Sequence, residues 1–264
     1  MLPTFFISHG GGPWPWMKQQ RESIYANLAR SLSELLPSLP TRPEAILMIS
    51  AHWEEEIFTV QGHSNPGMIY DYFGFPEHTY SVKYPAPGHS ALANKVCELL
   101  NNASLSARVD VTRGYDHGMY SPMALIDPKA QIPVVQLSLK QGLDPLAHIK
   151  VGRVLEPLRS QGILIVGSGL SYHNLRAFGI LGKEASARFD SWLLHSVVEQ
   201  TGKDRTERLL HWEDAPSARE AHPREEHLIP LMVAVGASES EKGHLIYHEE
   251  DFVGLTVSSF RFGS

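Results

Sequence analysis

The chain has 264 residues, 42% of them hydrophobic, which is enough for one large core in an α/β protein. Its formal net charge is −6, and Lys and Arg are scattered along the chain, which argues against a nucleic-acid partner and a basic binding stripe. The single cysteine, Cys97, can form neither an intrachain disulfide nor a thiolate metal cluster, and neither a signal peptide nor a membrane span is evident. We expect one domain over residues 1–264, in a cytoplasmic protein that is a monomer or a homo-oligomer.

Apolar runs of strand length alternate with segments of helical period along the chain. This alternation predicts an α/β fold with a mostly parallel or mixed central sheet and helices on both faces. The predicted strands are TFFIS, EAILMIS, IFTVQG, 107–111, IPVVQLSL and GILIVGSG, followed by a hairpin of LIYHEEDF and GLTVSSFRF. The predicted helices are 18–36, 90–101, DPLAHIKVGRVLEPLRS, 184–200, 203–212 and REEHLIPLMVAVGAS.

Glycine and proline are concentrated in one long loop, 62–88, which also carries five aromatic residues between Tyr70 and Tyr80. Loops of this length in compact domains are usually functional or disordered, and the aromatic content argues against disorder. We therefore expect an ordered lid or pocket wall, with a packed surface loop as the alternative. The aromatic side chains that we consider for a pocket or for core packing are Tyr70, Tyr72, Phe73, Phe75, Trp14 and Trp16.

Histidine occurs 14 times, and three copies, His9, His52 and His173, end or closely follow apolar strand-type runs. The carboxyl ends of parallel strands meet at one edge of a sheet, so we predict a shared metal or catalytic site there. At each single position the alternative is a structural, hydrogen-bonded histidine. Two further candidates are His117, in the turn-like YDHGMYSP, and His227, near a predicted helix start. We interpret the others as solvated or capping residues: His63, His78, His89, His148, His195, His211, His222, His244 and His248.

Imidazole suits Zn, Fe, Cu and Ni, but neither HExxH nor CxxC occurs, so ligands would come from distant parts of the chain. The segment SHGGGP after the first strand also matches the oxyanion-hole motif of some esterases. That chemistry needs a G-x-S-x-G nucleophile elbow, which the flanks of Ser168 and Ser171 do not supply. A serine hydrolase is therefore disfavoured.

Seven sequence blocks follow one another in the order seen in the class III extradiol ring-cleavage dioxygenases. The blocks are SHGGGP, ISAHWE, YDYFGFPEHTYSVKYPAPG, YDHGMYSP, PVVQLSL, GSGLSYHNLR and EEHLIPLMVAVGA. They extend from about residue 9 to residue 237. The chain resembles the DOPA 4,5-dioxygenase branch of this family, which is related to the β-subunit of protocatechuate 4,5-dioxygenase.

The resemblance implies a non-haem Fe(II) enzyme that inserts both atoms of O2 into a catechol and opens the ring beside the diol. Carried over motif by motif, it implies that His9, His52 and His227 are metal ligands. By the same resemblance His173 is the acid–base residue, and His117 is a second-sphere histidine beside bound oxygen. The glycines of SHGGGP would then let the backbone approach the substrate and adopt positive φ, with a plain tight turn as the alternative.

One ligand departs from the wider family, whose third ligand is a glutamate that completes a two-histidine, one-carboxylate triad. The DOPA-like branch has a histidine there, and the adjacent Glu226 remains the alternative to His227. Zinc is a second open point, since His9, His52, His227 and the nearby His173 could form a four-imidazole Zn(II) site in purified protein. The alternative functions are a zinc-dependent hydrolase and a metal-binding protein without turnover.

Overall fold

The computed structural model describes residues 1–264 and contains eight strands and nine α-helices. The strands are β1 (Thr4–Ser8), β2 (Ala45–Glu55), β3 (Phe58–Gln61), β4 (Ala107–Asp110), β5 (Val134–Lys140), β6 (Ile163–Gly169), β7 (Gly243–Phe252) and β8 (Leu255–Phe262). The helices are α1 (Lys18–Glu22), α2 (Ala26–Glu34), α3 (Ser90–Asn102), α4 (His117–Ile126), α5 (Pro145–Leu155), α6 (Lys183–Leu194), α7 (Gly202–Leu210), α8 (Ala218–Ala221) and α9 (Ile229–Gly236). None of these helices combines the length and the apolar character needed to cross a membrane.

All eight strands form one mixed sheet in the order β4-β3-β5-β2-β6-β1-β8-β7. The four central strands, β5, β2, β6 and β1, are parallel to one another. The pairs β3–β5, β1–β8 and β7–β8 are antiparallel. Every residue of β1 and of β6 is buried, as expected for parallel strands that are covered on both faces. The predicted α/β fold with a mixed sheet is confirmed.

Helices lie on both faces of the central strands. Two adjacent residues near the end of β6 contact a helix on each face. A Cβ added to Gly167 would come within 2.4 Å of the Pro230 carbonyl oxygen in α9, so this helix packs directly on the sheet. The next residue, Ser168, points to the opposite face, where its hydroxyl donates to the Gly118 carbonyl of α4 at 2.5 Å. Both helices therefore sit against the carboxyl end of the same buried strand.

The predicted helix boundaries were wrong in several places. The segment 18–36 forms two helices, α1 and α2, because the Ser23 hydroxyl bonds back to the Gln19 carbonyl at 2.8 Å where α1 ends. The segment 184–200 is helical to Leu194 and continues as a wider π-type turn. Helix α9 begins only at Ile229, with Pro230 in its first turn, where the missing N–H costs no hydrogen bond.

Helix α4 was not predicted as a helix. Its N-cap is Asp116, whose carboxylate accepts a hydrogen bond from the Met119 N–H at 3.2 Å. All but two of its ten residues are buried, so it has no polar face and shows little amphipathic periodicity. His117, which the sequence placed in a turn, is therefore the first residue of a buried helix.

Candidate active site

The five candidate histidines line one cavity at the carboxyl edge of the parallel strands. His9 follows β1 directly, and His173 lies beyond the end of β6. His52 lies inside β2, where the register against β5 shifts between Ile49 and Glu54. His117 begins α4, and His227 precedes α9. Five separate segments of the chain thus bring an imidazole to the same cavity.

Three imidazoles direct the same ring nitrogen toward one another. Nε2 of His52 lies 3.1 Å from Nε2 of His9 and 3.3 Å from Nε2 of His227. Nitrogen ligands about 2.0–2.1 Å from one ion, at angles between square and tetrahedral, are separated by about 2.9–3.4 Å. Both of these distances are therefore those expected between ligands of a single metal ion.

A hydrogen bond on the far side of His9 fixes its tautomer. Nδ1 of His9 lies 3.1 Å from the Ser168 hydroxyl, which gives its own proton to the Gly118 carbonyl at 2.5 Å. Since the hydroxyl has only one proton, it must accept from the Nδ1–H of His9. Nε2 of His9 is then unprotonated and presents a lone pair to the centre of the cluster.

Glu226 holds His227 and His173 together. Its Oε1 lies 2.9 Å from Nδ1 of His227 and 3.0 Å from Nδ1 of His173, and a carboxylate can only accept from both. The two rings stack with centroids 3.4 Å apart and planes 22° apart. Glu226 thus sits on the opposite side of the His227 ring from the cluster, where it orients the imidazole and increases its basicity.

Asp71 lies beside two histidines on the other side of the cavity, as Glu226 does beside His227 and His173. Its Oδ1 accepts from Nδ1 of His117 at 2.8 Å and from the His117 backbone N–H at 3.1 Å. Its Oδ2 lies 3.5 Å from Nδ1 of His52. One carboxylate therefore faces both His52 and His117, just as Glu226 faces His227 and His173.

Burial and charge keep the central histidines neutral. Burial is the main cause that lowers the pKa of His52 to about 3, and it lowers the pKa values of His9 and His227 well below the usual value. For Glu226 burial opposes ionisation, but the hydrogen bond from His173 and the charges nearby outweigh it and lower the pKa. The same balance, with His117 as the donor, lowers the pKa of Asp71. Neutral imidazoles backed by ionised carboxylates form a donor set suited to a divalent cation.

Two other sets of three residues in the cavity also bring possible metal-ligating atoms close together. Ligand atoms within 4.8 Å of one another form two sets, one of His9, His52 and His117 and the other of His173, Glu226 and His227. The contact between His52 and His227 joins the two sets. We favour the set of His9, His52 and His227, because Nε2 of His52 lies within 3.3 Å of Nε2 of both other residues.

The cavity has a volume of about 580 Å³ and 12 hydrophobic residues among its 23 lining residues. The aromatic loop contributes Tyr72, Phe73 and Phe75 to the lining, so this loop is an ordered pocket wall. Trp14, in contrast, is completely buried in the core beneath the cavity. The candidate aromatic side chains therefore divide between pocket and core.

Two glycines of SHGGGP have the positive φ that the sequence predicted. Gly10 has φ of +74°, and a Cβ there would lie 2.8 Å from Cδ1 of Trp14. Gly12 has φ of +58°, and its Cβ would lie 2.7 Å from the ring of Phe75. The backbone thus passes closely over two aromatic rings, which a residue with a side chain would prevent.

The interpretation of the remaining histidines as solvated or capping residues was wrong for two of them. His148 and His222 are completely buried. His148 accepts from the Lys140 backbone N–H at 3.1 Å, and its Nδ1 lies 2.8 Å from the Asp144 carbonyl. His89 does cap α3, where its Nδ1 accepts from the Leu92 N–H at 3.1 Å.

Fold and site together describe an α/β protein with a histidine cluster suited to a metal ion. The sequence profile of the catalytic LigB subunit of aromatic ring-opening dioxygenase matches residues 3–263. The chain therefore belongs to this family of ring-opening dioxygenases, as the sequence blocks predicted.

Known proteins resemble the chain over nearly its whole length. The 4,5-DOPA dioxygenase extradiol of Portulaca grandiflora is 37% identical over 268 residues, covering 99% of this chain and 96% of that protein. Dioxygenase tasH of Hapsidospora irregularis is 34% identical over 282 residues, covering 100% of this chain and 86% of that protein. The crystal structure of an uncharacterized protein from Escherichia coli K12 superposes with a TM-score of 0.78 at 27% identity and covers both chains completely.

Proposed function

We propose that this protein is an Fe(II)-dependent extradiol dioxygenase that opens the ring of a catechol beside its two hydroxyls. The ring C–C bond next to the diol breaks, and each of its carbons receives one atom of O2, so the product carries an aldehyde and a carboxylate. The observation that carries the proposal is the 3.1 Å and 3.3 Å spacing of the Nε2 atoms of His9, His52 and His227. Membership of the family supports the reaction class.

The metal would be held by Nε2 of His9, His52 and His227. The other ring nitrogen of each, Nδ1, already faces a polar protein group. Fe(II) held by these residues would supply the redox chemistry that O2 requires, whereas Zn(II) has none. Ser168, Asp71 and Glu226 position the three rings, so Glu226 acts on the ligand and is not itself the ligand in this proposal.

His173 is the residue that we assign to proton transfer. Its Nδ1–H donates to Glu226, so in the neutral ring Nε2 carries the lone pair that can accept a catechol proton and return it later. Glu226 stabilises the imidazolium that forms in between. The stack of His173 on His227, with centroids 3.4 Å apart, also supports its role as a fourth ligand when Zn(II) is bound.

His117 is the residue that we assign to the oxygen side of the site. Its Nδ1 donates to Asp71, its side chain is 7% exposed, and its ring centroid lies 3.9 Å from that of His52. Its unprotonated Nε2 can accept a hydrogen bond or a proton in the cavity. Asp71 fixes this tautomer in the way that Glu226 does for His173.

Reconstitution of the metal-free protein with Fe(II) under anaerobic conditions, followed by addition of O2 and a panel of catechols, tests the proposal. We expect equimolar consumption of O2 and catechol and a ring-opened semialdehyde that absorbs in the visible or near-ultraviolet. Protein reconstituted with Zn(II) is the control and should consume no O2. Equal O2 consumption with both metals would overturn the proposed Fe(II) chemistry, and the absence of O2 consumption with every catechol would favour the zinc-dependent hydrolase or the metal-binding protein.

A further inference from the structure

The cavity continues past the histidines into a second region, which we call the apolar arm. Its walls come from the loop after β6 and from the two strands of the β7–β8 hairpin. The lining residues of the apolar arm are Leu175, Phe178, Phe252, Leu255 and Val257. They belong to the same continuous cavity as His9, His52 and His227. A ligand bound at the histidines therefore has direct access to these side chains.

The register of the sheet explains why strand β8 forms this wall. Antiparallel pairing aligns Thr4 with Phe262 and Phe6 with Phe260, so earlier residues of β8 lie progressively closer to the end of β1. Leu255 and Val257 therefore pass beyond that end, beside the loop that follows it. Because they are two residues apart on a strand, both side chains point to the same face. They are 1% and 2% exposed and form the floor of the apolar arm.

The mouth of the apolar arm leaves large apolar side chains open to solvent. Leu175 is 71% exposed and Phe178 is 42% exposed, although both line the cavity. Apolar surface next to a cavity is favourably covered by an apolar group of a bound ligand. The total volume of about 580 Å³ is in the range that takes drug-sized ligands, well above the needs of an unsubstituted catechol ring.

The apolar arm carries no charged side chain, and the one arginine elsewhere in the lining is already paired, which disfavours an ionic substituent in the apolar arm. The lining contains no lysine, and its one arginine is Arg224. Nη2 of Arg224 lies 2.7 Å and 2.5 Å from the two carboxylate oxygens of Glu54. The Tyr172 hydroxyl at the apolar arm donates to the Ala177 carbonyl at 2.9 Å. An ammonium or carboxylate group there would lose its water without gaining an unpaired partner of opposite charge.

We propose that the catechol substrate carries an uncharged apolar substituent, alkyl or aryl, and that the apolar arm binds it. Relatives named as DOPA dioxygenases take a substrate whose substituent is a zwitterionic amino acid, so this chain would differ from them in specificity. The inference rests on the proposed function, because the diol has to be held at the histidines for the substituent to reach the apolar arm.

Comparison of kcat/KM of the Fe(II) enzyme for catechol, 4-methylcatechol, 4-ethylcatechol, 4-propylcatechol and L-DOPA tests the proposal. Each methylene that becomes buried should raise kcat/KM about fourfold until the apolar arm is filled. The kcat/KM for L-DOPA should be at least tenfold lower than that for 4-propylcatechol. A value for L-DOPA equal to or above that of 4-propylcatechol would overturn the proposal, while the ring-cleavage function would stand.

Substitution of Val257→Thr replaces a methyl group by a hydroxyl at nearly constant volume. It should reduce the ratio of kcat/KM between 4-propylcatechol and catechol at least threefold. Val111→Thr makes the same change at a side chain that is 63% exposed outside the cavity, and it should leave the ratio unaltered. An equal ratio in the Val257 variant and the wild-type enzyme would contradict the assignment of the apolar arm.

Binding without turnover separates this inference from the proposed reaction. Calorimetric titration of the Fe(II) protein without O2 should show a more negative heat-capacity change for 4-propylcatechol than for catechol, because apolar surface is buried. Tighter binding of 4-propylcatechol together with no cleavage by the Fe(II) form would support the apolar arm and overturn the dioxygenase. Equal heat-capacity changes for the two ligands would overturn the apolar arm.

Discussion

The Glu226 carboxylate accepts a hydrogen bond from Nδ1 of His227 at 2.9 Å, although the two residues are neighbours in the sequence. The carboxylate lies behind the ring, and Nε2 on its other side points to His52 at 3.3 Å. The sequence alone does not decide whether His227 or Glu226 is the third metal ligand. In our proposal they have different tasks, His227 as a ligand and Glu226 as the group that orients it.

Glu226→Gln should lower metal affinity about 10–100-fold without abolishing binding, because the amide still reaches His227 but lacks the charge that increases its basicity. Competition with a chelator measures the affinity. The matched control is Glu225→Gln, which removes a neighbouring carboxylate that pairs with Arg219 at 2.6 Å, outside the cluster. Complete loss of metal from the Glu226 variant, with retention in His227→Ala, would make Glu226 the ligand.

Single alanine substitutions of His9, His52 and His227 should each reduce the bound metal to well below one ion per chain. Each change removes one of the three nitrogen ligands, and the two that remain bind the ion too weakly to retain it during purification. Metal analysis of the purified, folded variants provides the measurement. His211→Ala is the control, because His211 is the C-cap residue of α7 and its side chain is 64% exposed. Full stoichiometry in all three variants would show that these residues are not the ligands.

The sequence placed His9, His52 and His173 at the carboxyl edge of the sheet, where they lie, but did not identify the groups behind the histidines. Strand ends are visible as apolar runs, and parallel strands bring their ends together. The supporting groups Asp71 and Glu226 lie in a long loop and before a helix, where charged residues are common and carry no periodic signal. Ser168 was considered only as a nucleophile, and its role beside His9 depends on a contact with α4, which was itself missed.

His173→Gln should retain the metal and catechol binding while it lowers kcat about 10²–10⁴-fold, because an amide can accept a hydrogen bond but cannot transfer a proton at neutral pH. Iron content must be measured beside kcat. His195→Gln, at a side chain that is 47% exposed, is the control. Unchanged turnover with full iron would exclude His173 as the acid–base residue and direct attention to His117.

Acid should destabilise the metal-free protein through its buried neutral histidines. Burial lowers the pKa of His148 to about 4 from a usual value of 6.5, so the folded state resists protonation that the unfolded state accepts. Between these two pH values the unfolded state binds more protons, and the free energy of unfolding therefore falls as the pH falls. Below about pH 4 both states are protonated, and this contribution to the slope disappears.

His148→Gln should reduce that pH dependence by up to about 1.4 kcal/mol per pH unit between pH 6.5 and 4. Denaturant titrations of the metal-free protein at several pH values measure the slope, with His195→Gln as the exposed control. The variant should also lose stability at pH 7, because the backbone N–H of Lys140 depends on Nε2 of His148 as its acceptor. An identical slope in the variant and the wild-type protein would contradict the assigned cause.

Prediction of the fold succeeded where the hydrophobic pattern matched the element. The strands β1 and β6 and the first half of β2 are largely apolar because both of their faces are covered, and the sequence displays this directly. Helix α4 has the same uniform character for the same reason, so its apolar residues do not reveal a helical period. The break between α1 and α2 depends on one side-chain hydrogen bond at Ser23, which no periodicity records.

The three proposed ligands come from the first strand, the second strand and the last third of the chain. A metal ion bound by His9, His52 and His227 would cross-link regions that the unfolded chain keeps far apart, and it would favour the folded state by its binding free energy. Most of the chain must be synthesised before His227 is available. Metal uptake would therefore occur late, as a signature of completed folding, and a chain truncated before His227 could not acquire the ion in this form.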